Sequence, residues 1–340
     1  MLHLSDLVEE WNKRRYQAKI HYDRREFQQY LDLSKENLKL SSILNDKAKE
    51  GLALNDVGTA CITCYQYQAA LDFFHQALFI AQELQNIQAE AATFTNLGNA
   101  YSHLGYLSQA LEQFYQALPL FQKMGDQQGE MAALNSLALL YTRLNQPKRA
   151  LLLHHQVLPM RRLLNDFSGE AITLNSIGFA YSALEQPELA LSYFEQALPI
   201  QKATRNVTAE ATTLNNIAST YCDLGHPQKA LLLYHQVLLT RKALNDRAGE
   251  AATLHNIAFT YNLLGNRQEA LAFYDQAILL YRELGDRAGE ATLLLNIGSL
   301  YAELNEKAIA ESHYIHAQNL VQQIDHQFLA RKVQKFLDNL

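Results

Sequence analysis

The chain has 340 residues, 48% hydrophobic and 19% charged, with a formal net charge of −6 and a pI near 6.1. This balance is ordinary for a soluble folded chain and lacks the overall basic footprint of a nucleic-acid binder. No apolar run approaches the roughly 18 residues that a membrane span requires.

Taken from the start, Met1 to Arg15 carries acidic residues and Trp11 where a secretory signal needs an uninterrupted apolar segment. No export is expected, and a cytoplasmic location is the corresponding expectation. Three cysteines, Cys61, Cys64 and Cys222, are too few for a disulfide framework and suit a reducing compartment. Residues 1–45 read as an N-terminal helical cap, a degenerate unit in which Glu10, Leu31 and Leu38 keep the phase of the later repeats and Tyr30 replaces a small residue.

From Glu50 a glutamate recurs every 40 residues: Glu50, Glu90, Glu130, Glu170, Glu210, Glu250 and Glu290. Length alone would suggest two or three globular domains, but an in-phase repeat instead predicts one elongated array of stacked units. Seven units run at 46–85, 86–125, 126–165, 166–205, 206–245, 246–285 and 286–325, and a C-terminal capping helix at 326–340 has Leu329, Val333, Phe336 and Leu337 turned inward.

With the glutamate as position 0, Asp or Asn stands four residues earlier in every unit, from Asp46 to Asp286, and these are helix N-cap residue types. Positions 4, 7, 11 and 14 share one face of a helix and form its buried stripe, with Tyr101, Tyr141, Tyr181, Tyr221, Tyr261 and Tyr301 at position 11. Position 8 is always Gly or Ala, which lets another helix approach. Gly105, Gly225 and Gly265 at position 15 and Pro147, Pro187 and Pro227 at position 17 mark a short turn into a second helix. That helix carries Ala at position 20, from Ala70 to Ala310, and an aromatic at 24, with His154 the exception. Pro119, Pro159 and Pro199 lie inside it, where each predicts a kink or weakened turn rather than a boundary.

Small at 8, Tyr at 11, Ala at 20, an aromatic at 24 and Ala or Val at 27 resemble the tetratricopeptide repeat pattern. The 40-residue period exceeds the family's usual one, and the family's proline at position 32 is replaced by Gln82, Gln122, Arg162, Lys202, Lys242, Arg282 and Gln322. The longer period resembles the long-helix subclass of kinesin light chains and spindle-orientation adaptors, and the run Leu214 to Ala218 resembles the kinesin light chain pattern. The resemblance implies an all-α fold, a right-handed superhelical solenoid of antiparallel helix pairs whose concave face holds peptides.

The face opposite the buried stripe holds positions 2, 5, 6, 9, 12 and 13. Asn55, Asn135, Asn175, Asn215 and His255 stand at position 5, and Asn96, Asn216, Asn256 and Asn296 at position 6. A carboxamide both donates and accepts, so such a row can grip an extended peptide backbone; the same amides could instead bond one another as structural ladders. Asn99, Phe179 and Phe259 at position 9, Asn262 at 12, and Arg143 and Asp223 at 13 vary between units and would set selectivity. The groove is largely neutral and favours a mixed, partly apolar segment over a phosphate or terminal carboxylate.

Non-catalytic capture of an extended or helical segment of a protein or peptide partner is therefore the first expectation, with self-association a further possibility. A regulatory sensor of a signal peptide or small ligand is the alternative. A thiol oxidoreductase built on Cys61 and Cys64 is the third reading, disfavoured because positions 11 and 14 are buried in the other units. No second CxxC or HxxxH completes a metal site, His75, His155 and His235 are too far apart to share one, and no catalytic set or phosphate loop stands out. No cofactor is expected. The position 0 glutamate falls on the packing side and should have a partner, since unpaired buried charge is costly.

Overall fold

A computed structural model describes residues 4–323 and 327–340, which form seventeen α-helices. In chain order they are α1 (Leu4–Asp23), α2 (Phe27–Leu44), α3 (Lys47–Thr63), α4 (Tyr67–Glu83), α5 (Ile87–His103), α6 (Leu107–Met124), α7 (Gln127–Arg143) and α8 (Pro147–Leu163). Then come α9 (Phe167–Ala183), α10 (Pro187–Ala203), α11 (Val207–Asp223), α12 (Pro227–Ala243), α13 (Arg247–Leu263), α14 (Arg267–Leu284), α15 (Arg287–Glu303), α16 (Lys307–Gln323) and α17 (Gln327–Asp338). Consecutive helices pair antiparallel, one pair for each repeat. The boundary expected at 325/326 lies outside the described residues.

Contacts divide the chain into two compact units, Met1–Leu164 and Asn165–Leu340, each built on the same scheme. Every first helix of the seven repeats opens on the expected cap: the side chains of Asp46, Asn86, Asp126, Asp166, Asn206, Asp246 and Asp286 each accept a backbone N–H three residues on, at 2.9–3.1 Å. Each first helix closes in a left-handed residue at position 15. Gly105, Gly225 and Gly265 meet that need without a side chain, but Tyr65 (φ 60°), Glu185 (φ 57°) and the asparagines Asn145 and Asn305 are held there too.

Inside each pair, the aromatic at position 24 lies on the small residue at position 8. A methyl group added to Gly98 or Gly178 would come within 2.6 Å of the Phe114 or Phe194 ring. Phe74, Phe114, Phe194, Tyr274 and Tyr314 are accordingly almost fully buried. Helices α6, α8 and α10 run through Pro119, Pro159 and Pro199 without a boundary.

The expected stripe needs correction at positions 11 and 14: at position 11 only Cys61 and Tyr141 are buried, and the other five tyrosines are half-buried. Position 14 is only half-buried, Cys64 included, and Leu304 is exposed, because this residue already belongs to the turn. Position 3 is the deeper one: Thr93, Thr173, Thr213 and Thr253 are at most 1% exposed. A threonine can go there because its hydroxyl bonds within its own helix, as Thr253 does to the Gly249 carbonyl at 2.7 Å.

Five of the position 0 glutamates meet a side chain at position 32 of the preceding repeat. Gln82 bonds Glu90 at 3.0 Å, Gln122 bonds Glu130 at 2.8 Å and Arg282 bonds Glu290 at 2.6 Å, while Lys202 and Lys242 lie 4.0 and 3.8 Å from Glu210 and Glu250. Each contact ties the end of one helix pair to the start of the next. Leu329 and Val333 of α17 are buried, and Phe336 and Leu337 pack on the core of the second unit.

Candidate functional site

Positions 5 and 6 are half-buried in nearly all repeats, with Thr95 and Leu295 deeper. In four places the residue at position 6 of one repeat bonds the residue at position 5 of the repeat before it. Asn96 Nδ2 donates to Asn55 Oδ1 at 3.3 Å, Asn216 to Asn175 at 3.2 Å, and Asn256 to Asn215 at 3.1 Å. In the last rung Asn296 Nδ2 donates to Nε2 of His255 at 2.7 Å. Burial pushes His255 down to about 4, with Lys332 adding to the shift, so the ring is neutral and able to accept.

Threonines at position 3 complete the rungs. Asn55 Nδ2 donates to Thr93 Oγ1 at 2.7 Å, and Thr213 Oγ1 donates to Asn175 Oδ1 at 3.0 Å. The amides thus carry out the structural role open to them as a ladder. They retain capacity beyond it, since one rung uses one donor of the first carboxamide and one acceptor of the second.

The same offset of 41 residues joins Arg15 of the cap to Asp56, with Nε 2.7 Å from Oδ2 and Nη2 3.3 Å from Oδ1. Here an ion pair replaces the amides. Burial raises the Asp56 carboxyl against the lowering effect of Arg15. Beside it opens a cleft of about 550 Å³ lined by Trp11, Arg15, Tyr16, Tyr22, Tyr30 and Asp56 among others. Arg15 was not among the expected site residues, although its place 41 residues before Asp56 is the signal that finds it.

The remaining candidates flank the rows. Phe179 and Phe259 are 52% and 44% exposed, and Asn99 is half-buried. Arg143 reaches back to Ser102, bonding its carbonyl at 2.5 Å and its hydroxyl at 2.7 Å. Asp223 is exposed, Asn135 is half-buried, and the Oδ1 of Asn262 is buried with no hydrogen-bond partner among the described residues.

The cysteines do not form a reactive pair. Cys61 is 1% exposed and burial pushes its thiol up, while Cys64 is half-buried with its Sγ 3.6 Å from the Phe27 carbonyl. Among the described residues no group of three His, Cys, Asp or Glu could hold a metal ion, and no helix is long and apolar enough to cross a membrane.

A family model for the tetratricopeptide repeat matches residues 90–163, 169–242 and 249–323. The chain belongs to the tetratricopeptide repeat family. No curated protein matches the sequence. Solved structures resemble this one at low identity. The apo quorum sensor NprR from B. thuringiensis has a TM-score of 0.73 at 19% identity, covering 91% of this chain and 86% of that one. A Rap protein complexed with competence and sporulation factor has 0.66 at 15%, covering 97% of both. Aspartyl phosphate phosphatase F from Bacillus subtilis has 0.66 at 14%, covering 95% of both. At these identities the likeness bears on the fold, and the role of each tetratricopeptide position rests on this chain's own geometry.

Proposed function

We propose that the protein is a non-catalytic scaffold that captures an extended peptide segment along its amide rows. The observation that carries this reading is the exposure of large apolar side chains on the same helix face as the amides. Phe179, Phe259 and Leu139 at position 9 and Leu263 at position 13 are each between 44% and 52% exposed, flanking half-buried carboxamides with spare donors and acceptors. Amides for the backbone and apolar spots for side chains suit a mixed segment.

Asn55, Asn96, Asn99, Asn135, Asn175, Asn215, Asn216, Asn256 and Asn296 would meet the peptide backbone. Phe179, Phe259, Arg143, Asp223, His255 and Asn262 would set preference. A regulatory version of the same activity, in which the captured peptide is a signal, is supported by the full-length likeness to a quorum sensor and to a Rap protein bound to a sporulation factor.

Because the rungs also hold neighbouring repeats together, removing the asparagines would confound binding with stability. Phe179→Ala with Phe259→Ala leaves every rung intact. Capture of host peptides by this double variant should fall at least about tenfold with helicity and melting unchanged. Undiminished capture would overturn the proposal.

A further inference from the structure

The cleft beside the Arg15–Asp56 pair differs in chemistry from the rest of the row. Elsewhere the lining is neutral amide; here Arg15 and Lys19 stand one helical turn apart on α1, both on the cleft. Asp56 is the single carboxylate in the lining, and it is already engaged by two of the five guanidinium N–H groups of Arg15. Lys19 is exposed, so the cleft keeps one surplus positive charge. Its walls are aromatic: Trp11 is 3% exposed beneath the Arg15 cation, which lies 5.7 Å from the ring centroid, and Tyr22 meets Tyr30 edge-on at 5.3 Å. Burial and the charge of Asp56 hold the Tyr30 hydroxyl protonated.

We infer that this cleft receives the acidic side chain, Asp or Glu, of the peptide held along the amide row of the first unit. The inference rests on the peptide-binding reading and specifies its ligand. One surplus cation matches one carboxylate rather than a doubly charged phosphate, and the free N–H groups of Arg15 and the ammonium of Lys19 supply charge-assisted donors. The aromatic walls accommodate the aliphatic stem of that side chain and its neighbours. Its volume of about 550 Å³ falls inside the usual range for ligand pockets, enough for more than one side chain. Asp56 follows Asn55 in α3, which places the cleft one residue from the first rung.

Panning the full chain against a random displayed peptide library tests this. Peptides selected by the wild type should share one fixed Asp or Glu, and replacing that residue by its amide should weaken binding about tenfold. Lys19→Glu, an exposed change that spares the ion pair, should abolish the acidic preference while the remaining sequence preference persists. Arg15→Gln combined with Asp56→Asn, which restores a neutral rung, should weaken the acidic preference too. Selected peptides without a shared acid, or an acidic preference undiminished in Lys19→Glu, would overturn the inference and leave peptide capture standing. A library that yields no binder at all would overturn peptide capture itself, and this inference with it.

Discussion

Arg282 donates its Nε–H to Oε1 of Glu290 at 2.6 Å, across the turn that joins α14 to α15. Glu290 is only 7% exposed, so its carboxylate depends on that partner. Arg282→Ala should therefore destabilise the protein by about 2 kcal/mol, while Lys202→Ala, whose ammonium sits 4.0 Å from Glu210 and is largely solvated, should cost about 0.5 kcal/mol. Denaturant midpoints of the two variants check this; equal losses would show that the contact is incidental to stacking.

The Asn215–Asn256 rung allows a cleaner measurement of what one amide pair contributes. Each single alanine variant removes the bond and leaves the other carboxamide half-buried, whereas the double variant removes both. A double-mutant cycle should give a coupling of about 1 kcal/mol in favour of the pair. Additive losses would indicate that solvent satisfies each amide equally well.

The N-caps and the small residue facing an aromatic were legible because they depend on local spacing, which periodicity reports directly. A ladder was one of the two readings of the amide rows, but which residues pair across it was not legible, since a bond between residues 41 apart depends on how one helix pair is rotated on the next, and no hydrophobic period encodes that rotation. Asp56 illustrates the difference: it stands at position 6, where most later repeats carry asparagine, and only its bond to Arg15 shows why a carboxylate belongs there. The glutamate partners lay between these cases. A partner was required on energetic grounds, and the polar residues replacing the proline at position 32 were visible, but connecting the two took the geometry of the turn.

Glu185 sits at φ 57° after α9, where its N–H bonds the Ser182 carbonyl at 3.0 Å and the next N–H reaches back to Tyr181. Its side chain carries the left-handed penalty that Gly225 avoids in the equivalent turn. Glu185→Gly should raise stability by about 0.5–1 kcal/mol despite the greater freedom of glycine in the unfolded chain. A thermal melt that moves downward would instead assign the side chain a role in the turn.

His154 occupies the aromatic position of its repeat, 1% exposed, with both ring nitrogens buried and no hydrogen-bond partner among the described residues. Burial pushes its pKa down to about 4, helped by the nearby Arg161 and His155, from an ordinary value near 6.5. The unfolded chain therefore takes up a proton that the folded chain refuses as pH falls from about 6.5 to about 4, so stability is lost through that window and the loss levels off below it. At pH 4.5 the wild type should have lost on the order of 2 kcal/mol relative to neutral pH through this group alone. His154→Phe, the residue found at 74, 114 and 194, should remove that component and flatten the difference between midpoints measured at the two pH values. Parallel pH profiles for wild type and variant would show that the imidazole already finds a proton acceptor in the folded core.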